Sequence, residues 1–495
     1  MRTCEDTQMK DCGVLLHISS LPSRYGIGNL GREAYAFADF LHAAGQTYWQ
    51  VLPIGPTSYG DSPYQSPSSF AGNAYFIDLD DLREKGLLTA EETESAVCPA
   101  GNIDYGALFA SRLPLLRKAF ARFDTATPAF VAFCAQNAEW LDTYALFTAL
   151  KSHFSLRPHW QWEEGYAAPD APAVRDFAAH NRNELDFVRF LQYVFDYQWS
   201  AWKTYVNGLG IRIIGDMPIY AAYDSADFWE DPRRFDTDAK GVLSAVAGVP
   251  PDYFSADGQL WGNPLYNWER MEKEEYPFWT ARIRRALTLF DRLRIDHFRG
   301  FCAYYAVPAS ATTAREGTWR EGPGMRFFRV LQEKLPHADI IAEDLGVDAP
   351  ELRKLLADCG YPGMKVLQFG FDGNAKYNAH AVTNVPAHCI AYTGTHDNDT
   401  TLGWFSSLTA AQRKAVRSRL PRGCGSVSDA MICALYGSRA QTAIVPMQDW
   451  LGQGSEARMN IPGTSEGNWQ YRLSALPDKA LQQKMRDMAQ KYKRE

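Results

Sequence analysis

Three acidic residues stand where an apolar run gives way to a polar one: Asp296 in RLRIDHFRG, Glu343 in DIIAEDLG and Asp397 in YTGTHDND. Leu293, Arg294 and Ile295 alternate as a strand does, and a period of two puts Arg294 and Asp296 on the same side. A guanidinium beside a carboxylate favours its charged form, which suits Asp296 to nucleophilic attack. Glu343 directly follows an apolar run. A carboxyl in such surroundings, near other carboxylates, keeps its proton to higher pH, which suits a general acid. Asp397 lies beside His396 in a polar, glycine-containing loop, where the pair can bind hydroxyls and stabilise developing positive charge.

A charged nucleophile with a protonated partner is the equipment of retaining glycoside chemistry, in which the two carboxyls lie about 5–5.5 Å apart. The acid protonates the leaving oxygen, then turns base and activates the next attacker. Water as that attacker gives hydrolysis; a sugar hydroxyl gives transfer. Taken singly, each acid also fits a helix cap or an ion pair, Arg294 and Asp296 fit a buried salt bridge, and His396 fits a loop histidine. The three acids together, at successive strand ends, carry the chemical reading.

Such groups need strands that end together. Eight candidate strands occur, at 13–18, 48–53, 211–215, 293–296, 339–343, 364–369, 389–392 and 442–446, mostly separated by helical patterns such as 32–44. Alternating strands and helices predict an α/β fold with a parallel sheet. Eight units predict a (β/α)8 TIM barrel, whose catalytic groups sit at the strand ends. The whole of 1–495 then forms a single catalytic domain with large, mainly helical insertions between barrel strands. Residues 56–210 are the longest insertion, between strands two and three, with helical patterns at 127–154 and 184–206. Near the end, Leu481, Met485, Met488 and Tyr492 share one helical face.

Residues 246–268 are read as an aromatic loop. Tyr253, Phe254 and Trp261 offer flat faces to the C–H faces of sugar rings, although such rings also serve to anchor a loop. Gln259 to Trp261 are expected to form a lid that limits water.

Composition narrows the partners. Of 495 residues, 46% are hydrophobic and 13% aromatic, as in a folded chain. A net charge of −7 gives no basic excess for nucleic acid. The arginines of 281–294 alternate with Ile283, Leu287 and Phe290 at helical spacing, so a solvated face is expected for them. No signal-like apolar core opens the sequence and no run is long enough to span a membrane. The nine cysteines are scattered without a paired framework, which predicts reduced thiols in a cytoplasmic protein. Cys134, Cys302 and Cys389 are expected to act as small hydrophobes. The carboxylate chemistry requires no metal or organic cofactor.

The flanks of the acids resemble the amylomaltases, the 4-α-glucanotransferases or disproportionating enzymes of the wider α-amylase group. The resemblance runs through GVLLHISSLPSRYGIGNLG at 13–31, YWQVLPIGPTSYGDSPYQSPSSFAGN at 48–73, IGDMPIY at 214–220, GVPPDYFSADGQLWGNPLY at 248–266, RIDHFRG, IIAEDLG and GTHDND. It implies Asp296 as nucleophile, Glu343 as general acid/base and Asp397 as the transition-state stabiliser. Arg294 then keeps Asp296 charged, Asp216 and His396 bind the sugar in the cleaved subsite, and Tyr64 is the platform beneath it. Ser62, Gln259 and Asn460 complete the implied binding set. The strand-three motif has Met217 and Pro218 after Asp216, where α-amylases carry an Asn-His pair shortly after the Asp, and this favours the glucanotransferase branch. The implied partners are malto-oligosaccharides, amylose and glycogen-derived glucans, with neither nucleic acid nor membrane, and the chain looks like the short bacterial form. The motif chemistry on its own leaves open an α-glucan hydrolase and a non-catalytic glucan-binding protein.

Overall fold

The computed structural model describes residues 10–58, 60–238, 240–251, 256–346 and 349–495. Twelve strands lie among these residues: β1 (Asp11–Leu15), β2 (Tyr48–Gln50), β3 (Arg212–Met217), β4 (Ala245–Val249), β5 (Gln259–Pro264), β6 (Arg292–Ile295), β7 (Ala303–Pro308), β8 (Thr318–Glu321), β9 (Ile340–Ala342), β10 (Gly363–Val366), β11 (Cys389–Tyr392) and β12 (Thr442–Pro446). Eight form one parallel sheet in the order β10-β11-β12-β1-β2-β3-β6-β9. The Ala342 N–H donates to the Pro362 carbonyl at 3.0 Å. This draws β9 against the start of β10 and leaves the sheet a nearly closed barrel.

These eight strands are the eight predicted runs. A strand covered by helices outside and by barrel side chains inside is apolar almost throughout; every position of β11 and β12 is buried. Close packing continues to the backbone. A Cβ on Gly215 would lie 2.1 Å from the Phe290 ring, so only glycine lets that ring sit against β3 just before Asp216.

Register places the chemistry. In the β3–β6 pair Asp216 stands opposite Arg294, and in the β6–β9 pair Ile295 stands opposite Ala342. One residue further along, Asp296 and Glu343 are therefore neighbours at the carboxyl edge.

Between β2 and β3 the chain is largely helical, with long helices at Tyr105–Ala121, Pro128–His153 and Arg182–Gly208. A second apolar core including Tyr144, Phe147, Phe154, Trp162, Phe177 and Trp229 lies there, separate from the main core. Trp229 follows β3, so this smaller core ties the helices to the barrel. None of the described helices is long and apolar enough to cross a membrane. All eight described cysteines are free thiols, with Cys389 buried and Cys134 and Cys302 partly so.

Two expectations change. The aromatic segment is not an irregular loop in its described part: β4 and β5 pair antiparallel and join β7 and β8 in a four-stranded sheet. The arginines of 281–294 do not all face solvent. Arg282 is buried and donates to the Pro218 carbonyl at 2.8 Å, the Ile219 carbonyl at 3.0 Å and the Tyr266 hydroxyl at 2.8 Å. Periodicity marks which residues face the core, but a guanidinium can enter the core too when carbonyls and a hydroxyl there take its Nη groups, here with the Arg282 Nε left without a partner among the described residues.

Candidate active site

Arg294 organises the carboxyl edge of the barrel. It is buried, and its Nη1 contacts both Asp216 oxygens at 2.7 and 2.6 Å while Nη2 donates to Asp296 Oδ1 at 2.8 Å. Burial disfavours its charge, but Asp216 and then Asp296 outweigh burial and raise its pKa above the ordinary value. Burial raises the Asp216 carboxyl and Arg294 opposes that rise. The two-point contact holds these two as an ion pair. For Asp296, Oδ1 is fixed by Arg294 and the residue lines the cleft.

Glu343 occupies a different environment. It is 9% exposed, whereas the side chains of Asp296 and Asp397 are 29% and 45% exposed. Burial, then the neighbouring Asp296 charge, push its pKa up to about 8, against the pull of Arg294 and two backbone N–H groups. Those donors are Leu345, to Oε1 at 2.6 Å, and His297, to Oε2 at 2.8 Å. His297 can aim its N–H this way because its φ is 49°, a left-handed conformation uncommon for residues other than glycine.

The loop after β2 brings in Tyr64. Its hydroxyl donates to Asp216 Oδ2 at 2.8 Å and lies 2.9 Å from His396 Nε2. One hydroxyl hydrogen cannot serve both, so His396 presents Nε2–H to Tyr64. The two rings lie 5.2 Å apart and nearly parallel, at 19°. Ser62 Oγ accepts the Tyr64 N–H at 3.2 Å, so Ser62 shapes the turn that presents the ring. Asn460 Nδ2 donates to Asp397 Oδ1 at 2.6 Å, its N–H reaches the His396 carbonyl at 3.1 Å, and Arg458 holds the Asp397 carbonyl at 2.6 Å. The segment after β12 thus fixes the loop after β11.

Gln259 and Trp261 lie on β5. The Trp261 indole donates to Gln259 Oε1 at 3.2 Å, and its ring meets His297 edge-on at 4.8 Å. Tyr253 and Phe254 lie outside the described residues. A cleft of about 1590 Å³ is lined by Ser62, Tyr64, Gln259, Trp261, Asp296, His396, Asp397 and Asn460, and it extends along the helical insertion. The structure therefore joins in one place most of the described residues that the sequence singles out; Arg294, Glu343 and Asp216 do not line the cleft, and the Asp216 side chain, expected to bind the sugar, is fully buried between Arg294 and the Tyr64 hydroxyl.

Trp469 belongs with them and was not foreseen. It lines the cleft, stands 5.6 Å from the Tyr64 ring and 5.9 Å from His396, and has a φ of 64°. A lone tryptophan in a glycine-rich tail carries no period, and only the nearness of Asn460 in sequence could have pointed to it. Among the described residues no group of three or more His, Cys, Asp or Glu side chains is arranged to hold a metal ion.

The family model for 4-alpha-glucanotransferase, glycoside hydrolase family 77, matches residues 16–478. A 4-alpha-glucanotransferase of Thermus thermophilus is 48% identical over 93% of this chain and 94% of its own. One from Clostridium butyricum is 44% identical over 92% and 95%. The amylomaltase of Streptococcus agalactiae, solved in complex with acarbose, superposes with a TM-score of 0.94 at 38% identity, over 98% of this chain and 99% of that one. Barrel, acids and near full-length likeness agree: the chain belongs to glycoside hydrolase family 77, the 4-alpha-glucanotransferases.

Proposed function

We propose that the enzyme moves α-1,4-linked glucan segments from a malto-oligosaccharide donor to the 4-hydroxyl of a glucose or glucan acceptor, by retaining double displacement. Asp296 Oδ2 attacks the anomeric carbon while the bond from that carbon to the leaving 4-oxygen breaks. Glu343 gives its proton to that oxygen, and a glycosyl ester on Asp296 results. The acceptor hydroxyl then attacks the same carbon, loses its proton to the Glu343 carboxylate, and releases Asp296. Two inversions retain the α configuration. Asp397, oriented by Asn460, binds sugar hydroxyls as the ring flattens, with His396 and Tyr64 on the floor, Asp216 holding the Tyr64 hydroxyl from beneath and Ser62 shaping the turn.

The observation that carries this reading is the contrast between two adjacent carboxyls. Glu343 is buried and pushed up to about 8, whereas Asp296 is held by a buried guanidinium. Adjacent carboxyls in such different environments divide into acid and nucleophile. Trp261 meets His297 beside the nucleophile, with Gln259 holding its indole, and the pair favours a sugar acceptor over water.

Maltotriose as sole substrate tests the reaction. Free glucose together with chains longer than the substrate is expected; shorter products alone would make the enzyme a hydrolase. Asp296→Asn is expected to end turnover while calorimetry still detects oligosaccharide binding. Substantial remaining activity would remove Asp296 from the nucleophile role.

A further inference from the structure

The cleft that holds Asp296 continues to a wall formed by Trp160, Tyr223 and Lys151. Two tryptophans two residues apart take opposite roles there, around the 3-10 turn His159–Gln161. Trp162 is 8% exposed, donates its indole N–H to the Arg157 carbonyl at 3.0 Å and packs on Phe147 and Phe154. Trp160 is 48% exposed, and one face of it lies flat on Tyr223, 4.3 Å away at 9°. Its exposure therefore belongs to the other face and the rim.

The backbone that holds Trp160 is strained and tied down. Ser155 and Leu156 have φ values of 54° and 62°, a left-handed conformation uncommon for residues other than glycine. Lys151 Nζ donates to the Leu156 carbonyl at 2.8 Å, to the Arg157 carbonyl at 3.0 Å and to Asp224 at 2.6 Å. Asp224 Oδ1 accepts the His159 N–H at 3.1 Å. The turn is thus fixed to the segment after β3, which also supplies Tyr223. Core packing does not account for it, since Trp162 alone meets that need and tryptophan is highly buried on average.

We propose that Trp160, backed by Tyr223, is a remote glucan subsite. The open indole face stacks on the C–H face of an α-linked glucose ring distant from the scissile bond. Long glucans reach it and maltotriose does not, so it sets preference for chain length rather than chemistry. The proposal rests on the reading of the cleft as the glucan site.

Trp160→Ala and Trp160→Phe are to be assayed with amylose as donor and glucose as acceptor, and with maltotriose alone. For Trp160→Ala, kcat/KM on amylose is expected to fall roughly tenfold, mostly through KM, the scale of a lost aromatic contact. Maltotriose turnover should stay within about twofold, and Trp160→Phe should regain most of the amylose activity. Should truncation unsettle the turn, Trp160→Met keeps apolar bulk without a flat face and takes its place. Unchanged amylose activity in a variant that handles maltotriose normally overturns the subsite. So does an equal loss on both substrates that Trp160→Phe shares. A parent enzyme that does not lengthen maltotriose overturns the reading of the cleft itself.

Discussion

At the residue scale the decisive group is Glu343. Both of its oxygens accept backbone N–H groups, from His297 and Leu345, which fix the carboxyl beside Asp296 at the strand ends. Burial and the Asp296 charge raise its pKa to about 8, so the acid form is lost as pH rises through that value. The kcat/KM for donor glucans is therefore expected to fall on the alkaline side with an apparent pKa near 8, and a profile flat to pH 9.5 would count against Glu343 as acid. Glu343→Gln is expected to lose roughly 10²–10⁴ in rate in both half-reactions. Stability moves with the same group. A folded pKa above the unfolded value of 4.5 means the folded state binds the proton more tightly. The stabilisation is complete below about pH 4.5 and is lost as pH rises to about 8. Glu343→Gln does not titrate, so denaturant midpoints should shift in its favour between pH 5 and pH 8.5.

At the element scale, the barrel strands are legible because most carry one signal, burial on both faces, with β10 the exception in alternating buried and half-buried positions. The remaining sheet is not. β8 is exposed at all four positions and β5 alternates around a glycine, so neither stands out as an apolar run, and Trp261 reads as a loop aromatic. Asp296 and Glu343 stand out because each directly follows such a run, and Asp397 because it lies beside His396 in the polar loop that leaves β11. Trp160 does not, since HWQW gives no hint of which tryptophan faces in; contact with Tyr223, 63 residues later in the chain, decides it.

Two predictions belong at this scale. Trp261→Ala should raise the ratio of hydrolysis to transfer about two- to tenfold, read as reducing ends released per chain lengthened; an unchanged ratio argues against a lid. The tie between Lys151 and Asp224 should matter for the insertion. Burial opposes the Asp224 charge, but His159 and Lys151 hold its pKa below the ordinary 3.8. The tie thus stabilises above that value and is lost as pH falls through the lower folded one. Asp224→Asn is expected to cost about 1–3 kcal/mol near neutrality, with the gap closing in acid; a pH-independent gap would mean the charge is not what holds the turn.

At the scale of the whole molecule the two ends of the barrel have different work. Catalytic groups gather where strands finish, and the opposite rim serves stability. Arg494 closes that rim. It is wholly buried, and its N–H groups reach the carbonyls of Tyr436 at 2.8 Å, Asp11 at 3.1 Å, Gln441 at 3.3 Å, Ser438 at 3.2 Å and Ala440 at 2.9 Å. Those carbonyls end the helix Val427–Tyr436 and lead into β12 and β1. The Cys12 thiol in turn donates to the Arg494 carbonyl at 2.8 Å. One guanidinium thus joins the helix before β12 to the starts of two adjoining strands, with no carboxylate among its described bonded partners. Arg494→Met keeps much of the volume and takes a donor from five carbonyls, of which Gln441 keeps the Asp11 N–H and Ser438 the Lys10 ammonium, so it should cost on the order of 3–5 kcal/mol. Arg494→Lys restores charge but not the planar fork and should recover less than half of the loss. Both variants should keep kcat on maltotriose within about twofold at temperatures where they remain folded. A variant of normal stability would show that the rim closes without Arg494. A large fall in kcat in a folded variant would show that the two rims are not independent, because strain at the start of β1 and β12 would then be reaching His396 and Asp397 through the strands between.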